Sequence, residues 1–145
     1  MILNIRHTGI VVSSLAKSVD FYTRILGFHV VTQKDEPSHF IDKILGLSGA
    51  ELTTVKMRPS GDQMLELLYF HSHQRESQMS IKSLISVGIT HFAVTVDNIE
   101  ETFGKLEGLG VDFMSPPEIS PDGQAIVSFC RDPDGNYIEL VQEVK

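Results

Sequence analysis

Two histidines and two glutamates recur in this chain at matched places. His7 opens the run H-T-G-I-V-V and His91 opens H-F-A-V-T-V, an offset of 84. Glu66 in M-L-E-L and Glu139 in Y-I-E-L lie 73 apart, and Arg58 and Arg131 precede them at the same offset. Each half of the chain therefore carries one imidazole early and one carboxylate late, and four such donors from two related modules could meet at a pseudo-twofold axis. Two imidazoles and two carboxylates with no thiolate suit a divalent ion of intermediate hardness, six-coordinate, with two positions left for water or substrate oxygens. Nickel, zinc, cobalt, manganese and iron all remain possible. The open positions allow an α-hydroxycarbonyl or an enediolate to chelate through adjacent oxygens while the ion stabilises the charge that develops. A loosely held carboxylate, Glu66 or Glu139, can then take the proton.

Each of these residues also has a plainer reading. A lone histidine on a strand is more often packed or solvated than a ligand, and a lone glutamate can be an edge-strand surface residue. The repetition weighs against both, because Glu66 and Glu139 sit inside apolar alternation at equivalent places, where burial is costly without a partner. His71 and His73 have no carboxylate in register and read as solvated linker residues, as do His29 and His39. The Pro and Gly of D-P-D-G read as turn chemistry, and Arg58 and Arg131 as rim charges.

The elements that must position the four donors follow from periodicity. Ile5 to Val12 reads as a strand, with His7, Gly9 and Val11 on one face and Ile10 and Val12 on the other. Ser13 caps a helix whose stripe is Leu15, Val19, Tyr22 and Leu26, stopped by Gly27. Phe28 to Gln33 reads as a second strand, and Phe40 to Leu47 as a helical turn or lid. Glu51 to Met57 and Gln63 to Phe70 form a hairpin around Pro59 to Asp62, with Met64, Glu66, Leu68 and Phe70 on one face. The second pass repeats the plan. Ile89 to Val96 is a strand, and Asp97 with Glu100 starts a helix carrying Ile99, Phe103 and Leu106. Val111 to Met114, Gln124 to Cys130 and Asn136 to Val141 are three further strands. The polar stretch from His71 to Gly88 joins the modules and is expected to hold a helix near Met79 to Val87.

Composition narrows the function classes. A chain of 145 residues with 41% hydrophobic and 21% charged residues reads as one globular domain, residues 1–145, made of two modules at about 1–70 and 89–145 with a linker at 71–88. A net charge of -7 without clustered Lys and Arg argues against nucleic acid. No apolar run approaches a membrane span, and the start lacks the basic and apolar segments of a signal peptide. The single cysteine, Cys130, excludes an intrachain disulfide, so the cytoplasm is the expected location.

The opening H-T-G-I-V-V-S-S-L-A-K-S-V-D-F-Y-T-R-I-L-G-F, the closing D-P-D-G-N-Y-I-E-L and the paired βαβββ order together resemble the vicinal oxygen chelate superfamily, the glyoxalase/bleomycin resistance/dioxygenase proteins. The resemblance covers nearly the whole chain. It implies an α+β fold in which two tandem βαβββ modules form a cupped half-barrel mixed sheet with helices on the outer face. It also implies one divalent metal held by His7, Glu66, His91 and Glu139, with Glu139, then Glu66, as the catalytic carboxylates. Further expectations are a small α-hydroxycarbonyl or acyl-thioester substrate and a homodimer whose partner covers apolar sheet edges.

Within the family the four ligands favour a glyoxalase I-like lyase or isomerase. The arginine and asparagine that help bacterial members hold glutathione appear here as Val11 and Phe70, a departure that leaves the thiol open. Methylmalonyl-CoA epimerase-like members resemble the closing segment but carry Gln where this chain has Glu66. Ring-cleaving dioxygenases use only two His and one Glu, and a metal-free drug-binding protein has no use for two buried carboxylates.

Overall fold

The computed structural model describes residues 1–73 and 83–145. The chain divides into two compact units, Met1–Ser77 and Gln78–Lys145. The first contains β1 (Thr8–Val11), α1 (Leu15–Asp20) continuing into a π-helical stretch at Phe21–Ile25, β2 (His29–Glu36), α2 (Ser38–Leu45), β3 (Leu52–Arg58) and β4 (Leu65–Phe70). The second contains β5 (His91–Thr95), α3 (Ile99–Gly108), β6 (Glu118–Ile119), β7 (Ala125–Arg131) and β8 (Tyr137–Glu143). Each unit holds an open four-stranded sheet, ordered β1-β4-β3-β2 in one and β5-β8-β7-β6 in the other. In both, the first and last strands run parallel and the remaining neighbours antiparallel. These are the mixed-sheet βαβββ modules of an α+β fold that the repeat predicts. No helix among the described residues is long and apolar enough to cross a membrane.

Alternation explains which face is covered. Ile10 and Val12 are buried while Val11 is exposed, and α1 packs against β4 on the buried side. The same layer contains Val55, Met57, Leu67 and Tyr22, all without solvent exposure, each worth about 1.5–3 kcal/mol when an apolar side chain is fully withdrawn from water. Tyr22 meets Phe21 and Phe28 edge-on at centroid distances of 5.3 and 5.8 Å. Gly27, at φ 76°, ends the helical run in the left-handed region open to glycine. The insertion expected as a helical turn or lid is α2. Its Ile41 clusters with Ala50, Leu52, Leu68 and Phe70, and the β3–β4 register puts Leu52, Leu68 and Phe70 on the face of Glu66.

Several local boundaries differ from expectation. The first strand begins at Thr8 rather than Ile5, and Ile2, Leu3 and Ile5 before it are exposed. Ser14 caps α1 in place of Ser13, its hydroxyl accepting from the Lys17 N–H at 3.4 Å. Asn98 caps α3 in place of Asp97, accepting from the Glu101 N–H at 3.0 Å. Val111 to Met114 makes only one bridge, Phe113 to Cys130, and the short outer strand forms instead at Glu118–Ile119, after Pro116 and Pro117; prolines cannot donate to a ladder. The helix expected over Met79 to Val87 lies partly outside the described residues, and residues 84–88 form turns and bends.

Candidate metal centre

Each parallel strand pair brings one histidine to one glutamate. On β1 and β4, Gly9 is the partner of Glu66; on β5 and β8, Ala93 is the partner of Glu139. His7 and His91 lie two residues before Gly9 and Ala93, so both share a face with their glutamate. His7 precedes β1 by one residue and is tied to the ladder by the Thr8 N–H, which donates to the Met64 carbonyl at 3.0 Å. His7 Nε2 stands 3.0 Å from Glu66 Oε2, and His91 Nε2 stands 3.3 Å from Glu139 Oε2. The two contacts repeat each other atom for atom.

The carboxylates are partly buried, with side-chain exposures of 12% for Glu66 and 23% for Glu139, so each needs its polar partner. His91 Nδ1 shares a 2.9 Å hydrogen bond with Thr90 Oγ1, and its ring meets Phe129 edge-on at 5.2 Å. The D-P-D-G turn that leads into β8 is built on Asp132. One Asp132 oxygen accepts from the Asp134 and Asn136 N–H groups at 2.9 and 2.8 Å, and the other accepts from the Asn136 amide at 2.9 Å. Gly135, at φ 79°, completes the turn, which sets the start of the strand carrying Glu139.

Other candidates fall elsewhere. His71 is not merely solvated: its Nε2 lies 2.7 Å from Thr53 Oγ1, whose hydroxyl donates to Asp35. His73 Nδ1 shares a 2.8 Å hydrogen bond with Ser72 Oγ. Arg131 reaches Asp112 at 3.4 Å and donates to the Tyr137 hydroxyl at 3.0 Å. Lys56, Thr90 and Phe129 touch the His–Glu pairs and were not singled out from the sequence. Thr90 was findable as the neighbour of His91, whereas Lys56 and Phe129 required the strand register.

The profile of the Glyoxalase/Bleomycin resistance protein/Dioxygenase superfamily matches residues 4–140. The chain belongs to this family. It is 33% identical to a lactoylglutathione lyase of Schizosaccharomyces pombe, an alignment covering 96% of this chain and 47% of that one. The chain thus spans about half the length of that relative. It is 28% identical to the lactoylglutathione lyase of Pseudomonas putida, with 94% of this chain and 83% of the relative covered. The fold matches that of a glyoxalase family protein from Bacillus cereus with a TM-score of 0.89, 19% identity and coverage of 100% and 97%.

Within each family module the donor chemistry fits a divalent ion. An imidazole Nε2 and a carboxylate oxygen lie side by side, one nitrogen and one oxygen per pair, with no thiolate at either place. Among the described residues no group of three or more His, Cys, Asp or Glu that could hold a metal ion is present.

Proposed function

We propose that this chain is a metal-dependent lyase or isomerase of the glyoxalase I type, with His7, Glu66, His91 and Glu139 as the ligands of one divalent ion. The observation that carries the reading is the repeated His Nε2 to Glu Oε2 contact, at 3.0 and 3.3 Å. Two such pairs, supplied by the modules of one chain or by two chains of a homodimer, make an N2O2 set. A divalent ion held there would polarise adjacent oxygens of a small α-hydroxycarbonyl substrate and stabilise the charge left when a proton is removed.

The protein groups then divide the remaining work. His7 and His91 would hold the ion, and Thr90 Oγ1, 2.9 Å from His91 Nδ1, orients the His91 ring. Glu139 takes the proton from the carbon beside the carbonyl and returns it to the neighbouring carbon. Its carboxylate pairs with no Lys or Arg among the described residues, whereas both oxygens of Glu66 are engaged, Oε2 by His7 and Oε1 by Lys56.

The ligand set leaves the thiol attached to the substrate open. Val11 stands exposed, and Phe70 packs in the apolar cluster under α2, at the two places where glutathione-using bacterial members present polar side chains. The test is isomerisation of methylglyoxal adducts with several thiols over a series of divalent metals, beside an acyl-CoA epimerase assay. Turnover of a thiol adduct with at least one metal supports the reading. Turnover only of the acyl-CoA would replace it with an epimerase, and binding of neither metal nor substrate would remove the enzyme.

A further inference from the structure

The two His–Glu pairs differ by one charge. Lys56 stands directly opposite Glu66 in the β3–β4 register, so both side chains leave the same face. Lys56 Nζ lies 3.5 Å from Glu66 Oε1 while His7 holds Oε2. The residue opposite Glu139 in β7–β8 is Phe129. An ammonium therefore occupies in one module the place that an aromatic ring occupies in the other. A second carboxylate of this face, Glu36, is taken by Lys34 at 3.2 Å and by the Thr54 hydroxyl at 3.0 Å, and Lys56 is left to Glu66. Exposure is unequal across the contact. The Lys56 side chain is 32% exposed and Glu66 12%, so the ammonium can swing into water on its flexible stem while the carboxylate stays.

We propose that Lys56 is a displaceable counter-cation of the metal position, one that neutralises Glu66 in the metal-free protein and that a divalent ion must expel. The inference rests on His7 and Glu66 being ligands. A half-buried carboxylate is costly without a positive partner, and Lys56 supplies that partner before any metal does. Once a dication takes the carboxylate, the same ammonium is a like charge on the same face and opposes binding. Lys56 is thus a positioning residue that stabilises the empty protein and lowers its metal affinity, and Phe129 does neither for Glu139.

The experiment is calorimetric titration of zinc chloride, and separately nickel chloride, into the chelator-treated full chain, comparing the parent with K56M, K56R and F129K. K56M is expected to bind about tenfold more tightly than the parent, from removal of one like charge at partial screening. K56R should stay within about twofold of the parent because it keeps the charge, and F129K should bind more weakly by a factor similar to the gain in K56M. In thermal unfolding, metal-free K56M should melt below the parent and gain more on adding zinc, a pattern that loss of packing alone does not give. K56M that binds no more tightly than the parent overturns the role of Lys56 while leaving the ligands standing. Absence of binding in both parent and K56M overturns the ligand assignment and this inference with it. Should K56M fail to fold, F129K decides alone, and unchanged affinity there overturns the proposal.

Discussion

Phe129 faces Glu139 across the β7–β8 pair, in the position that Lys56 holds against Glu66 across β3–β4. The modules share strand order, parallel closure and the His–Glu contact, yet differ in the residue opposite each carboxylate. One carboxylate has both oxygens engaged, by His7 and Lys56, and the other is bordered by an aromatic ring. That asymmetry is the physical basis for giving Glu139 the proton-transfer role.

Glu139→Gln is expected to retain much of its metal and lose turnover by about 10²-fold or more, the usual cost of removing a general base. The measurement is solvent deuterium exchange at the carbon beside the carbonyl, followed by NMR with metal present. Undiminished exchange in the variant would move the base to Glu66.

His91→Ala should bind divalent metal far more weakly than the parent under equilibrium dialysis, beyond the roughly 10- to 100-fold that loss of an outer-shell partner costs. Thr90→Val, which removes only the hydroxyl beside His91 Nδ1, should fall within that smaller range. Equal affinity of His91→Ala and parent would break the ligand set.

Asp132 is buried and accepts from two backbone N–H groups and one side-chain amide. Asp132→Ala strands those donors, at about 1–3 kcal/mol for each one left unsatisfied, so a loss of roughly 2 kcal/mol or more is expected in urea unfolding. Asp132→Asn retains an acceptor and should lose less. Equal stability of all three proteins would show that the turn does not depend on this carboxylate.

Cys130 is fully buried, and burial, helped by the nearby negative charges of Asp132 and Asp112, pushes its thiol up from 9.0 to about 12. The folded protein holds this proton more tightly than the unfolded chain does. Its contribution to stability is therefore complete below about pH 9 and is lost as pH rises toward about 12. At pH 8 a thiol reagent should label Cys130 at the rate of unfolding and stoichiometrically in denaturant. Rapid labelling of the native protein would contradict the burial.

The repeat made the architecture legible because it fixes the same residue types at the same strand positions twice. His7 and His91 each fall two residues before the partner of a glutamate, and that relation survives folding unchanged. Capping residues were less legible, since Ser13 and Ser14, or Asp97 and Asn98, are neighbouring capable acceptors and the final turn of backbone chooses between them. Lys56 was hidden by register. A hairpin centred on Pro59 to Asp62 would set Glu66 against Val55, whereas the observed pairing sets it against Lys56, and a shift of one residue moves every side chain to the other face. The outer strand of the second sheet was misplaced because Val111 to Met114 has the better strand composition, while Glu118–Ile119 gains its place only by pairing with Val127 and Ile126.

The parallel pairing of β1 with β4, and of β5 with β8, has a consequence for how the chain acquires its donors during synthesis. Histidine and glutamate come from the opening and closing strands of each unit, so every intervening strand has been made before either contact can close. Such pairing carries the loop-closure entropy of a whole module and belongs to the slow, non-local class of folding events. A nascent chain that has emitted His7 but not β4 holds an imidazole without its carboxylate. The His–Glu contact is in this way a report that a module has finished folding.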